Sequence, residues 1–264
     1  MTKTDGAKVA VRPASSAIIL RDAAAGMEVF MVVRHHQIDF ASGAFVFPGG
    51  KVDPQDSAFV EASNLGVTAN GPKAAYWVAA IRETFEEAGL LLARKRNETQ
   101  LVRADETHDL VVRHRDDVVK GDLPFSEMLL QYNLLPALDL LVHFAHWITP
   151  TTQPKRFDTH FFLVSAPVKQ MGAHDGSEAV EGVWTAPRQA LADASAGRRT
   201  MLPPTRLNLE KLAQDDNVEH AVQRARAATV VCVEPRVELV DGGRKLHLPI
   251  EAGYGISELF VRSN

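Results

Sequence analysis

The amino-acid sequence predicts an α/β fold, made of one domain with mixed strand pairing and helical insertions. Short apolar or alternating runs, which are typical of strands, recur along the chain, and segments with helical periodicity lie between them. The 264 residues are enough for one large domain or two small ones. Because no repeat, low-complexity tract or linker divides the chain, we predict a single domain over residues 1–264.

The expected strands begin with a hairpin, whose two apolar runs are joined by a turn at residues 22–26. A long apolar run later in the chain precedes a turn and an alternating run, which we expect to be its antiparallel partner. A second hairpin is expected around the glycine-containing turn at residues 241–243. The expected strands cover residues 15–20, 28–34, 44–47, 138–149, 156–164, 230–233, 237–240 and 245–250.

Helices are expected where apolar residues recur at helical spacing between start and stop signals. In the first of them, Pro72 suits the first helical position and Gly89 is a typical helix end. Residues 57–71 are weakly patterned and rich in helix breakers, so no element is assigned there. The expected helices cover residues 73–88, 105–120, 126–132, 187–196, 205–214 and 217–228.

The composition excludes several classes of protein. A net charge of −4 argues against broad nucleic-acid binding, which needs a basic surface. The single cysteine, Cys232, excludes an internal disulfide and a cysteine-based zinc cluster, and its apolar neighbours predict a buried thiol. The first twenty residues contain no signal-peptide core or membrane span. We therefore expect a cytoplasmic enzyme without a nucleic-acid or membrane partner.

The most unusual feature is a group of three carboxylates on one face of the first expected helix. On a helical wheel of about 100° per residue, Glu83, Glu86 and Glu87 fall within an arc of about 100°. Apolar residues occupy the opposite side of the wheel, so the helix is amphipathic. Ala79 and Ala80 flank the acidic face, and we expect them to leave it open to a ligand.

This acidic face has two interpretations. Like charges at helical contact spacing repel each other by about 0.2–0.5 kcal/mol per pair, and a solvated face tolerates that cost. Alternatively, the face binds a divalent cation, because Mg²⁺ is held by carboxylate oxygens and substrate phosphates while it keeps several waters. The residues of the helix alone leave both interpretations open.

Two segments of the sequence together resemble the nudix box. The first is Gly-Lys-Val-Asp-Pro-Gln-Asp, from Gly50 to Asp56, and the second is Arg-Glu-Thr-Phe-Glu-Glu-Ala-Gly-Leu at residues 82–90. The second segment departs from the family pattern only at Thr84, where an apolar residue is usual, and Asp56 stands where the family usually has Glu. The two segments are separated by 25 residues, 57–81, where the box normally has seven.

The interrupted box resembles a particular branch, the nudix enzymes related to the peroxisomal coenzyme A diphosphatase. Three other segments are also similar to that branch, at residues 43–50, 147–150 and 155–162. The likeness covers about residues 14–210, with the insertion at about residues 57–72. A C-terminal extension of helices and strands follows, at about residues 205–264.

The resemblance implies the nudix fold, a mixed sheet between helices, and hydrolysis of a nucleoside diphosphate linked to another group. It assigns Mg²⁺ or Mn²⁺ to three glutamates and one backbone carbonyl, those of Glu83, Glu86, Glu87 and Gly50. It implies a catalytic role for Glu83 and Glu86, with Glu83 alternatively the general base. It also implies that Arg82 orients the glutamates and takes part in catalysis.

Four further residues are candidates for the site. Glu178 lies in an acidic loop and is either an auxiliary base or an ordinary exposed acid. Arg34 ends a hairpin strand, where it either contacts a substrate 3′-phosphate or is simply exposed. Arg156 could meet a phosphate and Phe157 a base, although a structural pair between Arg156 and Asp158 is an equal alternative.

The leading functional hypothesis is a Mg²⁺-dependent nudix hydrolase that cleaves coenzyme A or acyl-coenzyme A to adenosine 3′,5′-bisphosphate and a 4′-phosphopantetheine product. Alternative substrates are ADP-ribose or a dinucleotide. A non-catalytic nudix module that senses a nucleotide is the alternative from another class, and it would tend to lose box carboxylates that are present here. The expected partner is a small nucleoside diphosphate, and a homodimer is compatible with the sequence.

His143, His146 and Trp147 lie in the long apolar run of residues 138–149. We interpret them as strand packing residues rather than as metal ligands, because single histidines in an apolar strand are usually part of a core.

Overall fold

The computed structural model describes residues 9–33, 44–63, 65, 72–167, 170 and 182–262. Over these ranges the chain forms a mixed sheet with helices packed on both faces, which confirms the α/β class and the mixed pairing expected from the sequence. Within them, no helix is long and apolar enough to cross a membrane.

The strands and helices alternate along most of the described chain. The strands are β1 (Val11–Ala23), β2 (Gly26–Val33), β3 (Phe45–Val46), β4 (Gly49–Lys51), β5 (Ala93–Lys95), β6 (Leu134–Pro136), β7 (Val142–Ile148), β8 (Arg156–Ser165), β9 (Gly182–Thr185), β10 (Cys232–Val233), β11 (Arg236–Val240), β12 (Gly243–His247) and β13 (Glu258–Arg262). The α-helices are α1 (Pro54–Ser63), α2 (Ala74–Ala88), α3 (Ala104–Lys120), α4 (Phe125–Gln131), α5 (Pro187–Ser195), α6 (Pro203–Leu212) and α7 (Val218–Ala227). Short 3₁₀ helices lie at Leu138–Leu140 and Ile250–Ala252.

Strand β1 is central in the main sheet, whose order is β10–β7–β8–β1–β2–β3, with β4 also on β1 and β9 also on β2. It pairs parallel with β8 and antiparallel with β2, and β7 and β8 form the antiparallel pair expected from the sequence. Its residues alternate between two cores: Ala17 and Ile19 face one, and Ile18 and Leu20 face the other. A strand buried on both faces needs such a continuous apolar run.

The two cores anchor the helices on opposite faces of this sheet. Val78, Ile81 and Phe85 of α2 are fully buried in one core, so the apolar seam expected on that helix is confirmed. The other core contains Leu207 and Leu209 of α6. Burying each such side chain stabilises the fold by about 1.5–3 kcal/mol relative to exposure. The packing of its seam therefore fixes which way α2 turns its carboxylates.

Helix α2 ends where the sequence predicts, at Gly89. This glycine adopts a left-handed conformation with φ of 64°; its N–H donates to the Phe85 carbonyl, and the N–H of Leu90 donates to the Thr84 carbonyl. A residue with a Cβ disfavours that conformation, so glycine suits the position. The helix starts at Ala74, directly after Pro72 and Lys73.

Helix α1 was not predicted from the sequence, and it occupies the first part of the insertion in the box. It begins at Pro54, a residue suited to the first turn. Within the helix only Asp56 and Phe59 are buried. Because so little of α1 faces a core, its apolar periodicity is too weak to predict a helix.

Two further expectations are wrong. The run at residues 138–149 is not one strand, because the 3₁₀ helix Leu138–Leu140 precedes β7. Cys232 is exposed rather than buried. Its strand, β10, lies at the edge of the main sheet and is only two residues long, so apolar neighbours in sequence do not enclose the thiol.

Candidate functional site

The glycine segment and the acidic helix meet at β1. Strand β4 pairs antiparallel with β1, with Gly50 opposite Ser15 and Gly49 opposite Ser16. The Ser15 hydroxyl also donates to the carbonyl of Tyr76 in α2, at 2.7 Å. One strand thus holds both halves of the site.

The close approach of β4 to α2 and β1 requires glycine at two positions. A Cβ added to Gly50 would lie 2.4 Å from Oε1 of Glu83, and one added to Gly49 would lie 2.6 Å from the carbonyl oxygen of Ser15. Neither distance is compatible with a side chain unless its surroundings move. The Glu83 carboxylate is therefore pressed against the backbone of the glycine segment.

Arg82 is the centre of the polar contacts in this region. Its Nη1 donates to Glu83 Oε1 at 2.8 Å and to Glu86 Oε1 at 3.0 Å. Its Nη2 donates to the Lys51 carbonyl at 2.7 Å, and its Nε and Nη2 both reach the Asp56 carboxylate at 3.2 Å. Only 8% of the Arg82 surface is exposed. One buried cation therefore offsets the repulsion among three carboxylates.

Glu87 is held separately from the other two glutamates. Its Oε2 accepts a 3.0 Å hydrogen bond from the Gly49 N–H. The carbonyl of Glu86 accepts a 2.8 Å hydrogen bond from Arg115 Nε of α3, which restrains the last turn of α2. The carboxylates are thus distributed over the edge between α2 and β4 instead of facing open water.

The pKa values reflect this burial. Burial raises the pKa of Glu83 to about 8, the positive charge of Arg82 opposes the shift, and Glu86 and Glu87 add to it. Burial likewise raises the pKa of Glu86 and of Asp56, again against the influence of Arg82. The site therefore has more negative charge than Arg82 alone stabilises, and a cation would restore the ionised form.

The donor atoms at this edge fit a hard divalent cation. Three carboxylates and the Gly50 backbone offer oxygen and no nitrogen or sulfur, which is the preference of Mg²⁺ and Mn²⁺. One expectation about the surroundings is wrong: Ala79 and Ala80 are fully buried and do not border an open face. Helix α2 packs against β1, α1 and β4.

A cavity of about 480 Å³ opens directly beside Gly50 and Glu83. Its charged lining residues are Lys51, Asp53, Arg82, Glu83 and Arg244. Its other walls are largely apolar, and they come from β3, β7, β8, the start of α6 and the C-terminal strands. These walls include Phe47, Trp147, Ile148, Phe157, Phe161, Leu202, Pro203, Pro235, Val237 and Leu246. A ligand with one anionic and one apolar part suits such a cavity.

Residues 57–212, more than half of the chain, match a family model described as the NUDT19 Nudix domain. This chain belongs to that nudix family. The matched residues include the Arg-Glu half of the nudix box and β8, whereas the glycine half precedes them and β11–β13 follow them. The resemblance seen in the interrupted box is therefore confirmed.

Several relatives agree with this membership. The chain is 27% identical over 225 residues to acyl-coenzyme A diphosphatase NUDT19 of Xenopus laevis, covering 70% of this chain and 59% of that protein. It is 26% identical over 224 residues to the human protein of the same name, covering 69% and 59%. The chain thus spans about three fifths of the length of these two relatives.

A solved structure shows the same fold. The nudix hydrolase of Alicyclobacillus acidocaldarius is 31% identical to this chain, with a TM-score of 0.64. The match covers 82% of this chain and 97% of that structure. The nudix fold expected from the sequence is confirmed.

Outside the nudix box, the residues proposed for substrate binding differ in their placement. Phe157 lines the cavity. Arg156 is buried, donates to the Thr149 carbonyl at 2.9 Å and pairs with Glu234 at 2.6 Å. This placement favours a structural role for Arg156, and its partner is Glu234 rather than the expected Asp158. Arg34 and Glu178 lie outside the described residues.

The sequence reasoning missed the contribution of the C-terminal extension. Arg244 of β12 lines the cavity, together with Pro235, Val237 and Leu246. Arg244 and Leu246 lie on the same face of a short alternating strand, and this alternation was the only available signal. Nothing in the sequence places that strand beside the box.

Proposed function

We propose that this nudix domain hydrolyses the pyrophosphate bond of coenzyme A or an acyl-coenzyme A. The products would be adenosine 3′,5′-bisphosphate and 4′-phosphopantetheine, or its acylated form. The observation that carries the proposal is the continuity between the carboxylate edge and a largely apolar cavity. A pyrophosphate at Glu83 and Gly50 would leave room for a long, mostly apolar arm. The names of the NUDT19 relatives support the same substrate class.

Glu83, Glu86, Glu87 and the carbonyl of Gly50 would hold the divalent cation, Mg²⁺ or Mn²⁺. When bound, the cation would supply charge neutralisation at the pyrophosphate and acidify an attacking water. The all-oxygen donor set at this edge supports that assignment.

The side chains around the cation would provide positioning and proton transfer. Arg82 fixes the carboxylates of Glu83 and Glu86, and the Gly49 N–H fixes Glu87. Glu83 is alternatively the general base instead of a ligand: burial raises the pKa of its carboxyl to about 8 in the cation-free protein, near neutral pH, as a proton acceptor for water requires. No nucleophilic side chain is needed, because phosphoryl transfer depends mostly on positioning and charge stabilisation. Glu178 remains a candidate for an auxiliary base.

Two cations are suited to the substrate's remaining phosphates. Lys51 and Arg244 both line the cavity, and no ion pair within the described residues engages the Arg244 guanidinium. We assign Arg244 to the 3′-phosphate, which distinguishes coenzyme A from most other nucleoside diphosphates. Phe157 would contact the base or the apolar arm.

The test is a substrate panel measured with Mg²⁺ and with Mn²⁺: coenzyme A, short- and long-chain acyl-coenzyme A, ADP-ribose and diadenosine polyphosphates. We expect the highest kcat/KM for a coenzyme A compound. Faster hydrolysis of ADP-ribose or a dinucleotide would contradict the assignment of coenzyme A as the substrate. Nucleotide binding without turnover would contradict enzymatic activity and favour a nucleotide-sensing module.

A variant of Arg244 tests recognition of the 3′-phosphate directly. Arg244→Gln should lower kcat/KM for coenzyme A by about 10- to 100-fold, the range of a hydrogen bond to a charged group. The variant should have little effect on kcat/KM for 3′-dephospho-coenzyme A, since that compound lacks the 3′-phosphate. Arg226→Gln, an exposed arginine of α7, is the matched control. An equal loss for both substrates would contradict the 3′-phosphate role.

The single-domain organisation, the cytoplasmic location and a homodimer are further proposals from the sequence. Limited proteolysis and light scattering of the purified chain would test the first and the last.

A further inference from the structure

A second group of metal-binding side chains lies away from the nudix box. His146, Asp158 and His160 each offer a donor atom, and these atoms all lie within 4.8 Å of one another. His146 Nε2 is 2.6 Å from Asp158 Oδ1, and His160 Nε2 is 3.8 Å from the same oxygen. We call this group the histidine cluster. The place of His146 in this cluster differs from the strand packing role expected from the sequence.

Strand pairing assembles the cluster. His146 of β7 lies opposite His160 of β8, and their rings stack with centroids 3.9 Å apart. Because side chains alternate along a strand, Asp158 and His160 point to the face of β8 opposite to Phe157 and Phe161, which line the cavity. The cluster is therefore separated from the substrate cavity by the sheet itself.

Cys232 lies at the edge of the cluster, and its thiol is a candidate fourth donor. Strand β10 pairs parallel with β7, with Cys232 beside His146, and the Cys232 Sγ lies 3.8 Å from His146 Nε2. Its exposure at the edge of the sheet gives a cation a route to the cluster. His146 and Asp158 are also only partly buried, with side-chain exposures of 19% and 27%.

Two neighbours orient the donors, as partners outside the ligand set do in metal sites. The Tyr76 hydroxyl donates to Asp158 Oδ2 at 2.9 Å, which leaves Oδ1 toward the histidines. His160 Nδ1 lies 2.9 Å from His143 Nε2, so one proton is shared there. A hydrogen bond with the backbone of Ala145 acts to raise the His143 pKa, as expected if His143 donates there. His143 Nε2 then accepts from His160, and His160 Nε2 carries the free lone pair.

The protonation states suit ligands as well. Burial, with the neighbouring histidines, lowers the pKa of His160 to about 3, and burial also lowers the pKa of His143 to about 4. Both rings are therefore neutral at pH 7. The hydrogen bond from His146 lowers the pKa of Asp158, which keeps its carboxylate ionised.

We propose that His146, Asp158, His160 and Cys232 bind a transition-metal cation, with Zn²⁺ as the best match. Ligand distances of about 2.0–2.3 Å in a tetrahedral site place donors about 3.3–3.7 Å apart. Two of the separations here, both 3.8 Å, are already close to that value. The 2.6 Å contact between His146 and Asp158 has to open, and Cys232, whose Sγ is not within 4.8 Å of all three other donor atoms, has to move toward them.

The mixed nitrogen, oxygen and sulfur donor set selects against Mg²⁺, in contrast to the box. A bound cation would join the two-residue edge strand β10 to β7 and β8. We therefore expect it to stabilise the fold rather than to take part in hydrolysis.

Cobalt titration of the full-length, chelator-treated chain tests the site, because Co²⁺ in a tetrahedral site with sulfur absorbs far more strongly than Co²⁺ in an all-oxygen site. The titration is done in the Glu87→Gln background, which weakens the box without touching the cluster. We expect one equivalent of Co²⁺ with tetrahedral visible bands and a near-ultraviolet thiolate band. Zn²⁺ should displace it and raise Tm.

Three cluster variants and one control complete the test. Asp158→Asn and His146→Gln should weaken cobalt binding by more than about 100-fold, since outer partners alone contribute about 10- to 100-fold. Cys232→Ser should abolish the near-ultraviolet band. His220→Gln, an exposed histidine of α7, should have no effect.

Circular dichroism confirms that each variant is folded before its affinity is compared. No tetrahedral spectrum in the folded parent, or an unchanged spectrum in folded Asp158→Asn and His146→Gln, would overturn the proposal.

Discussion

The nudix box and the histidine cluster contrast in how they manage charge, although both depend on α2. The C-terminal half of α2 carries Glu83, whereas Tyr76, two turns earlier, orients Asp158 of the cluster. In the box, burial raises the pKa of Glu83, and Arg82 stabilises the carboxylates. In the cluster, burial lowers the pKa of His160 and keeps the ring neutral.

The difference teaches that burial has opposite consequences for acids and bases. A buried carboxylate without enough positive charge gains a proton, and a buried imidazole loses one. The box would therefore be stabilised by added positive charge. The cluster would be stabilised by a cation that accepts its lone pairs. Four predictions follow the contrast from its largest expected effect to its smallest.

Replacing the buried cation should disrupt the box most. Arg82→Met leaves Asp56, Glu83 and Glu86 without their shared partner, and removing one partner of a buried ion pair typically costs about 3–5 kcal/mol. Urea unfolding measures the loss. Arg206→Met removes an exposed pair with Glu210 and should cost less than about 1 kcal/mol. Equal losses in the two variants would show that Arg82 is not the organising charge.

Neutralising a proposed ligand should affect activity more than stability. Glu87→Gln is expected to lower kcat by at least about 100-fold, because partners of metal ligands already contribute about 10- to 100-fold. Its fold should persist, since the amide oxygen can still accept from the Gly49 N–H. Steady-state kinetics at several Mg²⁺ concentrations measures the effect, with the exposed Glu219→Gln as control. Wild-type turnover in Glu87→Gln would remove its role as a ligand.

Two glycine-to-alanine substitutions, Gly50→Ala and Gly197→Ala, should distinguish an effect on site geometry from an effect of backbone strain alone. The Cβ of Gly50→Ala would lie 2.4 Å from Glu83 Oε1, so we expect displacement of the carboxylate, reduced turnover and a stability cost of about 1–3 kcal/mol. Gly197→Ala has open space but a φ of 73°, so it should cost about 1–2 kcal/mol and leave turnover unchanged. Full activity in Gly50→Ala would mean that the close approach is unimportant.

The pH dependence of stability should have opposite signs in the two regions. The pKa of Glu83 is raised to about 8 from its ordinary value near 4.5, so its contribution is complete below pH 4.5 and is lost as pH rises through 8. The pKa of His143 is lowered to about 4 from 6.5, so its contribution is complete above pH 6.5 and is lost as pH falls through 4.

The free energy of unfolding, measured between pH 4 and 8 in chelator, tests both signs. Glu83→Gln should flatten the decline from pH 4.5 to 8, and His143→Gln should flatten the decline from pH 6.5 to 4. Adding Mg²⁺ should oppose the first decline and leave the second unchanged. A wild-type pH profile in both variants would contradict the assignment of these groups.

The boundaries and the chemistry of α2 follow from local residue patterns. The Arg-Glu half of the box and Gly89 are local patterns, so they predicted where α2 ends, which side is apolar and which side is acidic. Helical periodicity predicts which side of a helix is apolar and which is polar from the helix's own residues. The family followed from the same residues.

The contacts between elements that are distant in sequence depend on the three-dimensional fold. Periodicity does not say which element covers a surface, so the fit of Gly50 against Glu83 and the position of Arg244 in the cavity could not be predicted. The register between paired strands also cannot be predicted from local sequence patterns. His143 and His146, three residues apart, would point to opposite faces of a regular strand, but a bulge between His143 and Ala145 brings both to His160. A one-residue irregularity thus adds His143 beside a cluster that strand pairing assembles, and no local pattern encodes that contact.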